Sequence, residues 1–340
     1  MPNFRTGTVT ALLSDRPGLQ RIEVDGEPAY VLIELVGVAN VGDPVIVNTT
    51  AVDLGLGTGG WHVVHWIGTP GGAISIAREH AGHIMKLRYT SLQTATGAAE
   101  EDGELPDDLA GTPVVALALH SQLASGVAAA KAVNPDLRIV YVMTDGAALP
   151  IALSDLVHEL RQWRYLAATV TAGQAFGGTA EAVNVRSGLA VARHRLEADV
   201  IFVGMGPGSV GTSTTTGFSG LEVGATIDSI NDANGHAIAA LRVSDADRRP
   251  RHQGVSDHSR TVLRTAVHTP VVVPVPRGTT DLPDLGGHVT VVEEDVPDWH
   301  ARLAKHGIEP TTMGRDAQTD PRLFGFAAAA GAYAARRIAR

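Results

Sequence analysis

From residue 113 onward the chain alternates between short, continuous apolar runs and amphipathic stretches, and that rhythm constrains its fold more than any other feature. VVALALHS precedes QLASGVAAAKAV, RIVYVMTDG precedes SDLVHELRQW, and LAATVTAG precedes EAVNVRSGLAVARHRLEA. DVIFVGMG leads through a Gly/Thr loop to LEVGATIDSINDANG, and HAIAALRVSD through a polar loop to SRTVLRTAV; PVVVPVP and HVTVVEE close the series. A strand with one wet face alternates polar and apolar residues. These runs do not, so they are expected to be buried on both faces. Strand–helix repetition with such strands predicts a mostly parallel, helix-covered, Rossmann-like sheet over residues 113–340. The tail predicts a closing helix, with Asp320 as N-cap, Pro321 in the first turn, and Arg336, Arg337 and Arg340 at its negative end.

Residues 1–92 read differently. GTVTALLS, QRIEVDG, PAYVLIELVG and DPVIVNTTAV are Val/Ile/Thr-rich runs punctuated by the turn residues RPG, DGEP and GD. Arg21-Ile22-Glu23-Val24-Asp25 alternates as a half-wet strand does. A small β-barrel-like domain is the expected result. Residues 93–112, acidic and rich in Gly and Pro, are the expected linker or exposed loop before the α/β domain.

Composition excludes several classes of function. With 27 Lys+Arg against 36 Asp+Glu the chain carries a net charge of −9, which argues against a general nucleic-acid binder. Lysine is confined to Lys86, Lys131 and Lys305; every other cation is Arg. Cysteine is absent, which removes disulfides, thiolate nucleophiles and Cys-ligated metals and is compatible with the cytoplasm. No apolar run reaches the ~18 residues of a membrane helix, and charges come too early for a signal peptide.

In a parallel sheet, ligands bind beyond the carboxyl ends of the strands. Those ends are expected at His120-Ser121-Gln122, Thr144-Asp145-Gly146, Gly173-Gln174, Gly204–Gly220 and Ser244-Asp245-Ala246-Asp247. The Gly204–Gly220 loop is the most distinctive. Gly206, Gly208 and Gly211 would let backbone N–H groups converge on an anion, with the hydroxyls of Thr212, Ser213 and Thr214 beside them. A structural turn that lets two backbones pack closely is the alternative. Gly206–Gly211 also fits GxGxxG, but no helix starts at once and no strand-ending acid follows about 20 residues on, so a dinucleotide site is not expected.

The segment Ser244–Arg260 is the richest in chemistry. His252 and His258 suit acid–base work near neutral pH, Arg248 and Arg251 suit bidentate anion binding, and Asp245, Asp247 and Asp257 suit a divalent metal ion. A solvated loop of compensating charges, with Ser256 or Asp257 as helix cap, is the bland reading. Asp145 is the best single carboxylate, with Gln174 on the next strand end and His120 as a further base. In the first domain, His62-x-x-His65 and Glu79-His80-x-x-His83 invite a zinc reading, although residues three apart on a strand face opposite ways.

HSQLASGVAAAKAVNP, YVMTDGAALPIALSDLV, TAGQAFGGTAEAVNV, GMGPGSVGTSTTTGFSG, RHQGVSDHSRT and the NTTAVDLGLGTGG loop together resemble the signature blocks of the family called domain of unknown function 3866. The resemblance runs over nearly the whole chain and implies a bacterial cytoplasmic setting. The residues themselves point to a hydrolase or group transferase acting on a phosphorylated or otherwise anionic small molecule. The other reading is a non-catalytic sensor of a nucleotide-like ligand, or an assembly protein. A homo-oligomer is expected, with neither nucleic acid nor membrane as partner; the cofactor is open, a divalent metal ion being the candidate.

Overall fold

The computed structural model describes residues 1–55, 59–68, 82–146 and 150–338. The chain divides into two compact units, Met1–Gly97 and Ala98–Arg340. The first holds the barrel strands β1 (Phe4–Arg16), β2 (Leu19–Val24), β3 (Glu27–Leu32), β4 (Pro44–Asn48) and β5 (His62–Ile67). They close into a barrel in the order β1-β2-β3-β5-β4, with β3 and β5 parallel. The alternation expected at residues 21–25 holds, with Ile22 and Val24 fully buried and Arg21 and Glu23 half-buried. Ile22 and Val24 pack with Val9, Ala29, Val31, Val45, Val47 and Val64 to fill the barrel. Closure removes the exposed edges that a small sheet would otherwise present. Strand Ile84–Lys86 pairs with Thr94–Thr96 in a separate ribbon.

The second unit is built on an eight-stranded sheet. Its strands are β6 (Pro113–Leu117), β7 (Ile139–Thr144), β8 (Ala168–Ala172), β9 (Ala180–Ala182), β10 (Val200–Met205), β11 (His236–Ala240), β12 (Val271–Pro276) and β13 (Val289–Glu294). Their order is β9-β8-β7-β10-β6-β11-β12-β13, and every neighbouring pair is parallel. Val114 and Ala116 of β6 enter one hydrophobic core while Val115 and Leu117 enter the other, so both faces are covered. Helices α1 (Leu123–Val133), α2 (Asp155–Gln162), α6 (Trp299–Ala304) and α7 (Pro321–Ile338) cover one face. On the other lie α3 (Val185–Ala190), α4 (Glu222–Asp232) and α5 (Asp257–Thr261); α3 and α5 run on into wider turns at Val191–Arg195 and Val262–Ala266.

Two elements differ from the sequence expectation. Of the acidic stretch 93–112, expected as a linker or exposed loop, residues 98–112 belong to the second unit. Leu109 is buried in the sheet core and its N–H donates to Ala233 O at 2.7 Å, while Asp102 and Asp107 pair with Arg195 and Arg186 at 2.5 and 2.6 Å. Its charges are thus answered by the basic face of α3. In addition, Ala180–Ala182, expected at the start of a helix, forms β9 beside β8.

The Ala-rich tail helix α7 lies across α1, and both are buried along most of their length. Small side chains make that approach possible. A Cβ added at Gly331 would sit 1.9 Å from Gly126 O, and one at Gly126 would sit 2.7 Å from the Phe202 ring. Gly331→Ala is therefore expected to destabilise the chain by about 1–3 kcal/mol through overpacking, despite the better helix propensity of Ala. Urea unfolding checks this, and an unchanged or raised midpoint would show that the crossing has room to spare.

Candidate functional site

Because all neighbouring strands are parallel, their carboxyl ends share one edge. β6 and β7 feed α1 and α2 on one face, whereas β10 and β11 feed α4 and α5 on the other. The winding direction reverses where β7, β10, β6 and β11 lie side by side. Chain segments leaving to opposite faces open a crevice at such a point.

At the end of β7, the Thr144 hydroxyl donates to the carboxylate of Glu222, the first residue of α4. That carboxylate lies over Gly146, where a Cβ would fall 3.1 Å from Oε2. Burial raises the Glu222 pKa, the Thr144 hydrogen bond opposes the rise, and the charge of Asp145 adds to it. Glu222 was not among the candidates read from sequence. Its signal was an acid opening the helix after the glycine-rich loop, which passes for ordinary helix chemistry. Asp145 itself is exposed and accepts from the Gln174 N–H at 3.2 Å. Gly173 has φ +67°, and a Cβ there would lie 2.5 Å from the Asp145 carboxylate, so the contact needs glycine.

His120 is fully engaged. Its Nδ1 lies 3.2 Å from the Tyr141 hydroxyl and its Nε2 2.7 Å from Ser154 Oγ. Tyr141 OH donates to Gly204 O at 2.9 Å and therefore accepts from Nδ1–H, which assigns the proton on His120 to that nitrogen. Ser154 is buried and caps α2 by accepting from Val157 N. The hydroxyl partner of His120 is thus the structural Ser154, not the neighbouring Ser121. Burial pushes the His120 pKa down to about 4, so the ring is neutral at pH 7.

The Gly204–Gly220 loop folds back on itself. Thr212 N donates to Gly217 O at 2.7 Å, Ser219 N to Val210 O at 2.9 Å, and Thr214 N to Thr212 Oγ1 at 3.2 Å. A Cβ at Gly217 would meet Thr212 Oγ1 and Thr214 Oγ1 at 2.4 Å, and one at Gly211 would meet Phe218 Cβ at 3.0 Å. Gly206 packs against Met143, and Gly208 takes φ +104°. The N–H groups of Thr212, Thr214 and Ser219 are thus spent inside the loop and do not contribute to the expected cradle of open amides. What the loop presents is hydroxyls. Ser213, Thr214 and Thr215 line one side of a groove of about 400 Å³, and Arg251, Arg260, Arg264, Asp257 and His258 line the other. Phe218, at the base of the loop, stacks on His258 with ring centroids 3.8 Å apart and planes at 7°. The two richest sequence segments therefore do meet, through side chains.

Strand β11 ends at Ala240, earlier than expected, and Val243–Ser244 instead pairs with Gly254–Val255 in a small ribbon. Ser256 caps α5 and accepts from His258 N at 3.2 Å. Within this ribbon Asp247 is buried and bonded to Arg249 at 2.8 Å, Arg242 at 3.0 Å and Arg315 at 3.3 Å. Burial alone would raise its pKa, but the Arg249 hydrogen bonds and the charges of Arg249 and Arg242 outweigh that and hold it well below the usual carboxylate range. Asp245 turns to Arg322 at 3.0 Å and Asp257 to Arg260 at 3.3 Å. The expected metal trio of Asp245, Asp247 and Asp257 does not assemble, since each carboxylate is claimed by guanidinium groups. Among the described residues no three His, Asp or Glu side chains gather around a point an ion could fill. In the barrel, His62 is buried against Glu27 at 3.0 Å while His65 packs on Phe4, on the opposite face. Glu79, His80 and the tail Arg340 lie outside the described residues.

A family model for a protein of unknown function, DUF3866, matches residues 28–331. The chain belongs to that family. Comparison with curated proteins yields no match. In this DUF3866 protein His252 is corrected from catalyst to strut. It is fully buried, its Nε2 accepts from Arg251 Nε at 3.2 Å, and its Nδ1 bonds Ser256 Oγ at 2.7 Å. Arg251 reaches the groove, whereas Arg248 is exposed and does not line it. Between the ends of β6 and β11 a cavity of about 30 Å³, room for one water, is lined by Leu119, Phe218, Arg242 and His258. Arg242 is only 7% exposed, and its Nε has no hydrogen-bond partner among the described residues.

Burial, followed by the charge of Arg242, lowers His252 to about 3 and His258 to about 4. Histidines with folded pKa values below the unfolded ~6.5 bind fewer protons when folded. Their contribution is therefore complete above pH ~6.5 and is lost as pH falls toward 4. Glu222, with its raised pKa, acts in the opposite sense but is one group against three. The melting temperature of this DUF3866 protein is expected to drop between pH 7 and pH 4.5, and to drop less in His252→Gln. A flat profile in the parent chain would contradict the burial assigned to these rings.

Proposed function

We propose that this DUF3866 protein is an enzyme, a hydrolase or group transferase, acting on a phosphorylated or carboxylated small molecule at the carboxyl edge of its parallel sheet. One observation carries the reading: the groove that sets the hydroxyls of Ser213, Thr214 and Thr215 against the guanidiniums of Arg251, Arg260 and Arg264. Arginine forks match phosphate and carboxylate oxygens bidentately, and hydroxyls supply further donors. The competing partners are weak. Arg260 and Arg264 pair with the exposed Asp257 and Asp284, and such surface pairs contribute only about 0–1 kcal/mol, which an incoming dianion displaces. The unpartnered Nε of Arg242 adds positive character beside His258. In this reading His258, which lines the groove, accepts a proton. A Rossmann-like sheet belongs to the same proposal, supported by helices on both faces and the reversal of winding at β6.

A second reading, a non-catalytic sensor of an anionic ligand, draws on one specific observation. His120 and His252 have both ring nitrogens bonded, which leaves few groups ready to move protons. Thermal-shift and calorimetric titrations with sugar phosphates, nucleotides and small carboxylates test the groove. A true ligand at 100 times its Kd stabilises by about 2.7 kcal/mol. The double variant Arg260→Ala/Arg264→Ala is expected to lose that stabilisation. For an enzyme, His258→Gln keeps ligand binding and loses turnover at least tenfold; a sensor shows no turnover to lose. If no anion of these classes stabilises the parent chain, the groove is not a binding site and both readings fall.

A further inference from the structure

The opposite, amino edge of the sheet carries a second concentration of positive charge. The approach to β7 (Pro135), the approach to β8 (Trp163, Arg164, Tyr165), the end of α1 (Lys131) and the end of α6 (Arg302, Lys305) surround a pocket of about 360 Å³, room for about a dozen waters. Two of the chain's three lysines stand here, in a protein of net charge −9, and no carboxylate lines the pocket. Among the described residues neither Arg164, Arg302 nor Lys305 has a salt-bridge partner, and Arg302 Nε is buried without any hydrogen bond. The acids nearest Lys131, Asp136 and Asp199, lie outside the lining.

Helix dipoles do not account for this charge. Three helix C-termini, those of α1, α2 and α6, gather here, and each offers about −0.5 charge. Together they offset about −1.5 of the charge of the four lining cations Lys131, Arg164, Arg302 and Lys305, with Asp136 and Asp199 acting on Lys131 from outside the lining. Burial and then the charge of Arg302 lower the Lys131 pKa, while the charges of Asp136 and Asp199 oppose the fall. Lys131 Nζ also holds Pro135 O at 2.9 Å and Leu137 O at 2.7 Å, which fixes it in place instead of letting it swing into solvent. Trp163 stacks on His306 at 4.3 Å, and Tyr165 OH donates to Arg302 O at 2.7 Å, so the rim is rigid as well. A rigid pocket whose described lining holds four cations and no carboxylate suits an anion, because a polyanion relieves the repulsion among them.

We propose that this amino-edge pocket binds a small soluble polyphosphate-bearing molecule, at a site separate from the carboxyl-edge groove. The groove supplies substrate chemistry in the reading above, whereas in this pocket Lys131 Nζ and the Tyr165 hydroxyl are held by backbone carbonyls, and the proposal is for binding alone. The test uses inorganic pyrophosphate as probe, by calorimetry at low salt, on the full-length chain. In the Arg260→Ala/Arg264→Ala background, which disables the groove, pyrophosphate is expected to bind with a stoichiometry near one. Adding Arg302→Gln/Lys305→Gln should weaken it at least tenfold, and raising the ionic strength should weaken what remains. Arg164→Gln alone, at a side chain that holds nothing else, should weaken it several-fold and serves if the double change impairs folding. Absence of binding in the groove-disabled background overturns this proposal, as does binding that Arg302→Gln/Lys305→Gln and Arg164→Gln leave unchanged. Equal pyrophosphate binding in the parent chain and the groove-disabled variant would instead count against the groove and leave this pocket standing.

Discussion

The Asp247 carboxylate decides where the basic wall of the groove stands. Arg242 reaches it from the exit of β11, Arg249 from the ribbon and Arg315 from the approach to α7. Arg315 also bonds Asp320, which accepts from Ser244 at 2.6 Å, so the network ties the last helix to the ribbon that launches α5. Isolated, the buried members would be costly to hold as charges; together they offset one another's charge, although Arg242 Nε and Asp320 Oδ1 have no hydrogen-bond partner among the described residues. Three guanidiniums against two carboxylates leave the network net positive, and its surplus lies beside Arg251 and His258. A buried charge network of this kind contributes little net stability. Its effect is to fix geometry, because any shift of one member leaves another unpaired in a low-dielectric interior.

That network also explains what could and could not be read from sequence. The parallel sheet was legible because its strands lack alternation, and alternation is lost only when both faces are dry. The barrel was legible in Arg21–Asp25, where alternation persists. The metal trio failed because carboxylates two residues apart in sequence say nothing about Arg315 and Arg322, which arrive from some 70 positions away to claim Asp247 and Asp245. His252 was misread for a related reason. A histidine in a polar segment looks exposed, and only the ribbon pairing of Val243–Ser244 with Gly254–Val255 turns it inward. Glu222 was passed over because an acid in the first helical turn is ordinary capping chemistry. Its distinguishing feature is the partner Thr144, 78 residues earlier.

The glycine-rich loop shows how one residue pattern serves two physical ends. Glycine permits close approach of backbone to a ligand, and it equally permits close approach of backbone to a neighbouring side chain. At Gly211 and Gly217 the space a Cβ would need is filled by Phe218 and by the hydroxyls of Thr212 and Thr214. The amides of Thr212, Thr214 and Ser219 are consumed by the turn, and the side chains of Ser213, Thr214 and Thr215 line the groove.

In the proposed reading, the electrostatics of the groove would couple binding to proton transfer. After burial, the charges that hold the His258 pKa down to about 4 are those of Arg242, Arg251 and Arg249. In the empty groove this ring is a poor base. An anion seated against Arg251 adds negative charge close to the imidazole and offsets the guanidinium field, which moves the His258 pKa back toward its ordinary ~6.5. Occupancy by the correct anion would thus raise the proton affinity of the very group placed to act on it. Phe218 stacking at 3.8 Å holds the ring still while its proton affinity changes. His252, buried behind it with both nitrogens committed, cannot take the proton in its place. The division of labour between two histidines six residues apart then follows from burial alone: one is locked into the scaffold, and the other is left at the wall where charge arrives.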